Sequence, residues 1–219
     1  MTSETRSILL GLSCTDLSDA MDRLGIPCQC FGIRPLDRTF SLAGQAWTLR
    51  YGSIGQSGGT VGDYIDDIQE GQVIVLDNLG RMDATVWGDL LTSMSVRRKI
   101  GGTVIDGICR DIDRAFELGY PIFSRGNWMR TGKDRVRVEA TNEPVNIGGI
   151  RVEPGDWLRG DGDGVVVLPA VRVAEILMAA QEVHEAEDHI RAAIESGSTM
   201  REARKRFGYH QLQTRARAT

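Results

Sequence analysis

The apolar and polar positions of this chain change period several times, and the clearest signal lies in its middle third. Val73-Ile74-Val75-Leu76 is a continuous apolar run that ends in Asp77-Asn78, the mark of a buried strand. Helical spacing follows within Ala84 to Lys99, then Gly101-Gly102, then a second strand at Thr103-Val104-Ile105. After Asp106-Gly107-Ile108-Cys109-Arg110-Asp111 a further helix runs to about Leu118, Gly119 closes it, and Pro121-Ile122-Phe123 makes a third strand. Strand, helix, strand, helix, strand with short connections is a βαβαβ unit, which implies parallel strands and right-handed crossovers.

The flanks are read the same way. Residues 15 to 24 form a short capped helix that stops at Gly25, with Pro27 beyond it. Pro35 to Tyr51 alternates as strands do, with Gly44 as a bend, and Gly52 to Gly62 is a Gly/Ser-rich loop before a helix over residues 63 to 69. Residues 134 to 169 are rich in strands, and Gly160-Asp161-Gly162-Asp163-Gly164 is a tight turn leading into Val165–Leu168. A long amphipathic helix fills Val171 to Ser196, and a shorter one starts at Ser198 or Thr199 and runs to about Phe207. The expected architecture is one α/β domain: a catalytic part over residues 1–170 and a C-terminal helical extension over 171–219 that belongs to the same domain and serves as an oligomer contact.

Composition narrows the function classes. With 219 residues, 41% hydrophobic and 26% charged, the chain can bury a sizeable core and is not disordered. No apolar run reaches the roughly 18 residues of a membrane span, and the N-terminus lacks the apolar stretch of a signal peptide, so a cytoplasmic protein without membrane contact is expected. Arg191 to Thr219 carries seven Arg or Lys against two Glu, which leaves −9 on the first 190 residues. An acidic body argues against a nucleic-acid groove, and the basic tail suits an acidic neighbouring surface or solvent. Cys14, Cys28, Cys30 and Cys109 read as reduced thiols, since Cys28-x-Cys30 has no second ligand pair for zinc.

Elimination then removes several chemistries. The three histidines, His184, His189 and His210, all fall in the C-terminal extension, and a separation of five places the first two about 140° apart around a helix. That spacing is not the zinc-protease pattern, and it leaves no triad or zinc site in the body. Lys99, Lys133 and Lys205 sit at a helix end, in a charged turn and in the tail, so none is placed for Schiff-base chemistry. No Gly-x-x-x-x-Gly-Lys-Ser/Thr occurs, the Gly160 segment lacks calcium-loop ligands at Val165 and Arg172, and the loop after Leu76 holds only Gly80, too few glycines for a dinucleotide or S-adenosylmethionine site.

What remains is Arg110-Asp111 at the C-terminal end of the second parallel strand, where open α/β sheets bind their ligands. Trp87-Gly88-Asp89-Leu90-Leu91 lies where the preceding helix begins. With Gly88 as N-cap, the amides of Asp89, Leu90 and Leu91 are free donors in a partly positive field. Asp111 supplies one carboxylate, enough for a hard cation such as Mg²⁺ that keeps most of its waters, and Arg110 supplies a fixed positive fork. Together they read as a receptor for a small 2-oxo acid. The same Arg-Asp pair also reads as a helix cap with a neighbouring ion pair.

At these residues the chain resembles the metal-dependent 4-hydroxy-4-methyl-2-oxoglutarate/4-carboxy-4-hydroxy-2-oxoadipate aldolases, whose superfamily includes the regulator of ribonuclease activity A. Gly88-Asp89-Leu90-Leu91 and Gly102 through Arg110-Asp111 carry the likeness, with Thr15–Gly25, Gly44–Thr48, Pro121–Gly126 and Gly155-Asp156 through Asp163–Pro169 in support. The resemblance implies a swivelling β/β/α-type domain assembled as a homotrimer or homohexamer, with sites between subunits. It implies that Asp111 anchors Mg²⁺ or Mn²⁺, Arg110 holds the pyruvyl oxygen, the amides of Leu90 and Leu91 hold the carboxylate, and Asp89 orients a water on the metal that shuttles protons. A glutamate from a neighbouring subunit's C-terminal helix completes the site, with Glu187 the candidate and Glu185 close behind. The implied reaction is retro-aldol cleavage to pyruvate, with oxaloacetate decarboxylation through the same enolate. The rival is a ribonuclease-regulator-like binding module without catalysis. Two departures stand out: the polar run Asp77–Asp83, and a thiol, Cys109, beside Arg110.

Overall fold

In the computed structural model, which describes residues 2–55 and 58–209, the apolar run at 73–76 is the core of a central strand. Among the described residues there are ten strands and six helices: α1 (Thr2–Gly11), α2 (Cys14–Arg23), β1 (Arg34–Pro35), β2 (Leu42–Ser53), β3 (Val73–Thr85), α3 (Asp89–Arg97), β4 (Gly102–Cys109), α4 (Ile112–Leu118), β5 (Ile122–Asn127), β6 (Val136–Thr141), β7 (Val145–Ile147), β8 (Ile150–Val152), β9 (Trp157–Asp161), β10 (Gly164–Leu168), α5 (Val173–Glu195) and α6 (Met200–Arg206). They form two compact units, residues 29–170 and residues 1–28 with 171–219. The boundary read from the sequence therefore moves: the first 28 residues group with the C-terminal helices, because the apolar faces of α2 and α5 pack on each other.

The α/β class expected from the sequence is observed. In the larger unit the sheet runs β1-β5-β4-β3-β2-β9-β10, with β6 paired to β2. β2–β3, β3–β4 and β4–β5 are parallel, as the βαβαβ pattern requires, and the remaining pairs are antiparallel. Val73, Ile74, Val75, Leu76, Val104 and Ile105 are fully buried. Each such aliphatic side chain contributes about 1.5–3 kcal/mol relative to exposure, which is why uninterrupted apolar runs mark these strands.

Several elements differ from the sequence reading. Gly44 is no bend: it lies inside β2, where the strand passes from pairing with β9 to pairing with β3. A Cβ there would stand 2.4 Å from the Gly71 carbonyl oxygen, so the position needs glycine for close approach. The helix expected over 63–69 is a single 3₁₀ turn at Ile65–Asp67. β3 does not stop at Asp77-Asn78 but continues to Thr85, with two register shifts against β4.

In the smaller unit, α2 starts with a full capping box: Ser13 accepts from the Asp16 amide, and Asp16 accepts from the Ser13 amide. α6 repeats the device with Thr199 and Glu202. Leu17, Ala20 and Met21 of α2 and Ile176, Ala180 and Val183 of α5 are buried on their shared face. His210 and the basic residues Arg215 and Arg217 lie outside the described residues.

Candidate functional site

β4 is flanked by β3 and β5, and its last residue, Cys109, hands the chain directly to Arg110 and Asp111. The Arg110 amide donates to the Trp87 carbonyl at 2.9 Å, which ties the end of β4 to the segment entering α3. Asp111 then takes the left-handed conformation (φ 55°, ψ 43°), a strained choice for a residue other than glycine. It stands at the N-cap of α4, yet its side chain makes no capping hydrogen bond. The turn leaves Arg110 Nε 3.4 Å from Asp111 Oδ2, with both side chains 41% exposed.

Gly88 faces this pair. Its backbone is extended (φ −155°, ψ −170°), and it caps α3 without a side chain, as the sequence reading expects. A Cβ on Gly88 would lie 2.8 Å from Asp111 Oδ2 and 3.5 Å from Arg110 Nε, so the two charged groups pack against bare backbone. A short relay fixes the helix start. The Trp87 indole donates to Thr92 Oγ1 at 2.9 Å, and the Thr92 hydroxyl donates to the Gly88 carbonyl at 3.1 Å. Trp87 is also stacked on Tyr120, with 6.1 Å between ring centroids.

With Gly88 as N-cap, the amides of Asp89, Leu90 and Leu91 have no intrahelical acceptor. The structure refines the expectation that all three are free. The Leu90 amide donates to Asp89 Oδ1 at 2.9 Å, because the nearest carboxylate turns onto the positive end of the helix. For a substrate carboxylate to use Leu90 and Leu91 together, Asp89 must rotate away.

Gly88, Asp89, Leu90, Leu91 and Arg110 line one cleft of about 140 Å³. Its other walls are Val61, Thr85, Val86, Trp87 and Thr131, of which the sequence singles out only Trp87. Val61 is held by the buried Tyr51, whose hydroxyl donates to the Val61 carbonyl at 2.9 Å. Thr85 and Thr131 form an isolated parallel bridge, and the Thr85 hydroxyl donates to the Arg130 carbonyl. No periodicity in Gly52–Gly62 or Trp128–Thr131 marks these residues, because their neighbours come from distant segments. Behind the site, Asp106 pairs with Arg125 and accepts from the Gly148 amide at 2.8 Å. That hydrogen-bonded carboxylate pushes Arg125 above the usual arginine range.

The remaining candidates do not line this cleft. Cys109 is buried and hydrogen-bonds to the Gly126 carbonyl, and burial pushes its thiol up to about 11, so it is no nucleophile. Glu187 and Glu185 belong to α5 in the smaller unit, where burial and then Asp16 push Glu187 above the usual carboxylate range. His184 sits between Asp16 (3.1 Å) and Asp188 (3.5 Å), a helix-packing contact. Among the described residues there is no group of three or more His, Cys, Asp or Glu that could hold a metal ion. The donor set is thus the single, half-exposed Asp111 carboxylate, which fits a hard cation that keeps most of its waters and does not fit zinc. No helix among the described residues is long and apolar enough to cross a membrane.

Comparison with known proteins identifies the family. Residues 14–167 match the RraA-like family, described as Aldolase/RraA. Among curated relatives, Protein DlpA of Legionella pneumophila is 36% identical over 93% of this chain, although the chain spans only 34% of that protein's length. A Halalkalibacterium halodurans protein named "Putative 4-hydroxy-4-methyl-2-oxoglutarate aldolase" is 32% identical over 85% of this chain and 86% of its own. Among solved structures, an uncharacterized protein from Pseudomonas syringae pv. tomato superposes with a TM-score of 0.87 at 39% identity, covering 93% of this chain and 98% of that one. A Streptomyces coelicolor protein, described as an unusual member of the RNase ES inhibitor RraA protein family, reaches 0.79 at 28% identity, covering 86% of this chain and 96% of that one. Matched over most of its length, the chain belongs to the RraA-like (Aldolase/RraA) family.

Proposed function

We propose that this protein is a divalent-metal-dependent carbon–carbon lyase that cleaves a 4-hydroxy-2-oxo acid to pyruvate and a second carbonyl compound, with oxaloacetate decarboxylation as a side activity. One observation carries the reading. The left-handed turn at Asp111 sets an uncapped carboxylate 3.4 Å from Arg110 and against Gly88, and Arg110 and the bare start of α3 line one cleft.

Each group then has a task. The amides of Leu90 and Leu91 bind the substrate carboxylate once Asp89 leaves the helix end. The Arg110 guanidinium holds the 2-oxo oxygen and stabilises the negative charge that gathers there as the C3–C4 bond breaks. Asp89, at the mouth, handles protons: it draws the C4 hydroxyl proton, through a water, as that bond cleaves, and the proton returns to C3 of the pyruvate enolate. Val86 and Trp87 are buried and form the dry side of the cleft. Asp111 is the residue that would hold Mg²⁺ or Mn²⁺, which when bound supplies Lewis-acid stabilisation of the same developing charge. Arg110 is already 3.4 Å from Asp111, so both charges bear on one small volume.

The test is pyruvate release from oxaloacetate and from 4-hydroxy-4-methyl-2-oxoglutarate, coupled to lactate dehydrogenase, with Mg²⁺ and with EDTA. Release with Mg²⁺ that EDTA abolishes is the expected result, and no release from either compound contradicts the proposal. The likeness to the Streptomyces coelicolor protein favours a second reading, a ribonuclease-binding regulator. That reading gains only if pyruvate release fails and ribonuclease is retained in a pull-down.

A further inference from the structure

Gly88 is extended and has no side chain, so the peptide that joins it to Asp89 is free to turn unless its carbonyl is held. Two donors hold it. The Thr92 amide and the Thr92 hydroxyl each reach the Gly88 oxygen at 3.1 Å. A threonine hydroxyl that bonds four residues back is ordinary within a helix. Here the same oxygen is also an acceptor, because the Trp87 indole donates to it at 2.9 Å. Thr92 and Trp87 are only 1% and 2% exposed, so both bonds are out of reach of bulk water.

The consequence reaches both motifs of the cleft. In a trans peptide the carbonyl and the amide point in opposite directions. A Gly88 carbonyl locked into α3 therefore aims the Asp89 amide out of the helix end, beside those of Leu90 and Leu91. On the other side, the Trp87 carbonyl accepts the Arg110 amide at 2.9 Å. Trp87 thus joins the strand end that carries Arg110 to the hydroxyl that fixes the helix end. Its ring is kept in place by stacking on Tyr120, whose hydroxyl is hydrogen-bonded to Thr103. Every member lies between Trp87 and Tyr120, so the device is complete within one copy of the chain.

We infer that Thr92 is a positioning residue, whose buried hydroxyl fixes the Gly88 peptide, and with it the amide donors of α3, in relation to Arg110. Thr92 itself does not line the cleft. The inference rests on the lyase reading for the carboxylate that the amides receive, but pyruvate binding tests it apart from turnover. Thr92→Val keeps the shape and removes the hydroxyl, whereas Thr92→Ser restores the hydroxyl and loses the methyl. In calorimetric titration of the full chain with pyruvate and Mg²⁺, Thr92→Val should bind about tenfold more weakly than the unaltered protein, and Thr92→Ser within about threefold of it. In pyruvate release the same loss should fall on KM, with kcat changed by less than about threefold. Thr92→Ala, a better helix former, serves the same comparison should Thr92→Val not fold. A purely structural role would make affinity follow packing, so Thr92→Ser would bind as weakly as Thr92→Val. That result, or Thr92→Val binding within about threefold of the unaltered protein, would overturn the inference and leave the lyase reading intact. The expected order of affinities without pyruvate release from any 4-hydroxy-2-oxo acid would support the inference and defeat the lyase reading. Absence of pyruvate binding by the unaltered protein would overturn both.

Discussion

Helices α2 and α6 begin with complete capping boxes, while α3 and α4 begin with none. In the first pair, Ser13–Asp16 and Thr199–Glu202 satisfy the orphan amides from within the chain. At α3 a glycine stands where a cap would be, and at α4 an aspartate stands at the cap position but does not cap. The difference is one of use. Closed ends stabilise the helical unit, by about 1 kcal/mol each, whereas open ends beside Arg110 leave donors and a carboxylate for something outside the chain. α5 also lacks a side-chain cap, but a 3₁₀ turn at Ala170–Arg172 leads into it, and Arg172 there is paired with Glu175.

Four substitutions sharpen or break this contrast. The largest effect is expected from Arg110→Ala, which should lower kcat/KM for pyruvate release about 10²–10³-fold with thermal stability little changed. An unaltered rate would remove Arg110 from the chemistry. Next, Gly88→Ala should cost about tenfold in kcat/KM, because the new Cβ, 2.8 Å from Asp111 Oδ2, displaces the end of that side chain rather than backbone. Circular dichroism should show the fold retained, and a variant with full activity would mean that the bare start of α3 is not needed.

At a closed end the pattern should reverse. Ser13→Ala should cost about 1 kcal/mol in denaturant unfolding and leave pyruvate release unchanged. Loss of activity without loss of stability would break the division. The smallest effect concerns Glu187, whose carboxyl is pushed up by burial and by Asp16 and Asp19. A raised folded-state pKa means that its contribution is fully present below about pH 4.3, the ordinary glutamate value, and is lost as pH rises through the folded value. Glu187→Gln should therefore stabilise the protein at neutral pH by about 0.5 kcal/mol or less, since solvent screens the group, and the gain should vanish in acid. A gain that persists in acid would point to packing instead of charge.

The parts of the fold that sequence reveals are those whose signal is local. Val73–Leu76, the Gly88 cap, the Arg110-Asp111 turn and the Gly119 stop each depend on a few adjacent residues. α1 escapes the reading because its apolar residues cluster at Ile8-Leu9-Leu10 without helical recurrence. Tyr64, Ile65 and Ile68 imitate a helical face, yet their burial is served by one 3₁₀ turn. The second half of β3 meets β4 only at Arg81 and Thr85, between register shifts, so no alternation marks it as a strand. The cleft divides along the same line. Gly88–Leu91 and Arg110 come from two short motifs, whereas Val61, Thr85 and Thr131 join them through tertiary contacts that leave no local trace.

The most direct test of the central claim is a crystal structure of the protein with Mg²⁺ and pyruvate. The account predicts the pyruvate carboxylate on the amides of Leu90 and Leu91, Asp89 turned away from Leu90, the 2-oxo oxygen at Arg110 and the ion on Asp111. Pyruvate bound elsewhere, with Asp89 still holding the Leu90 amide and the ion away from Asp111, would contradict it.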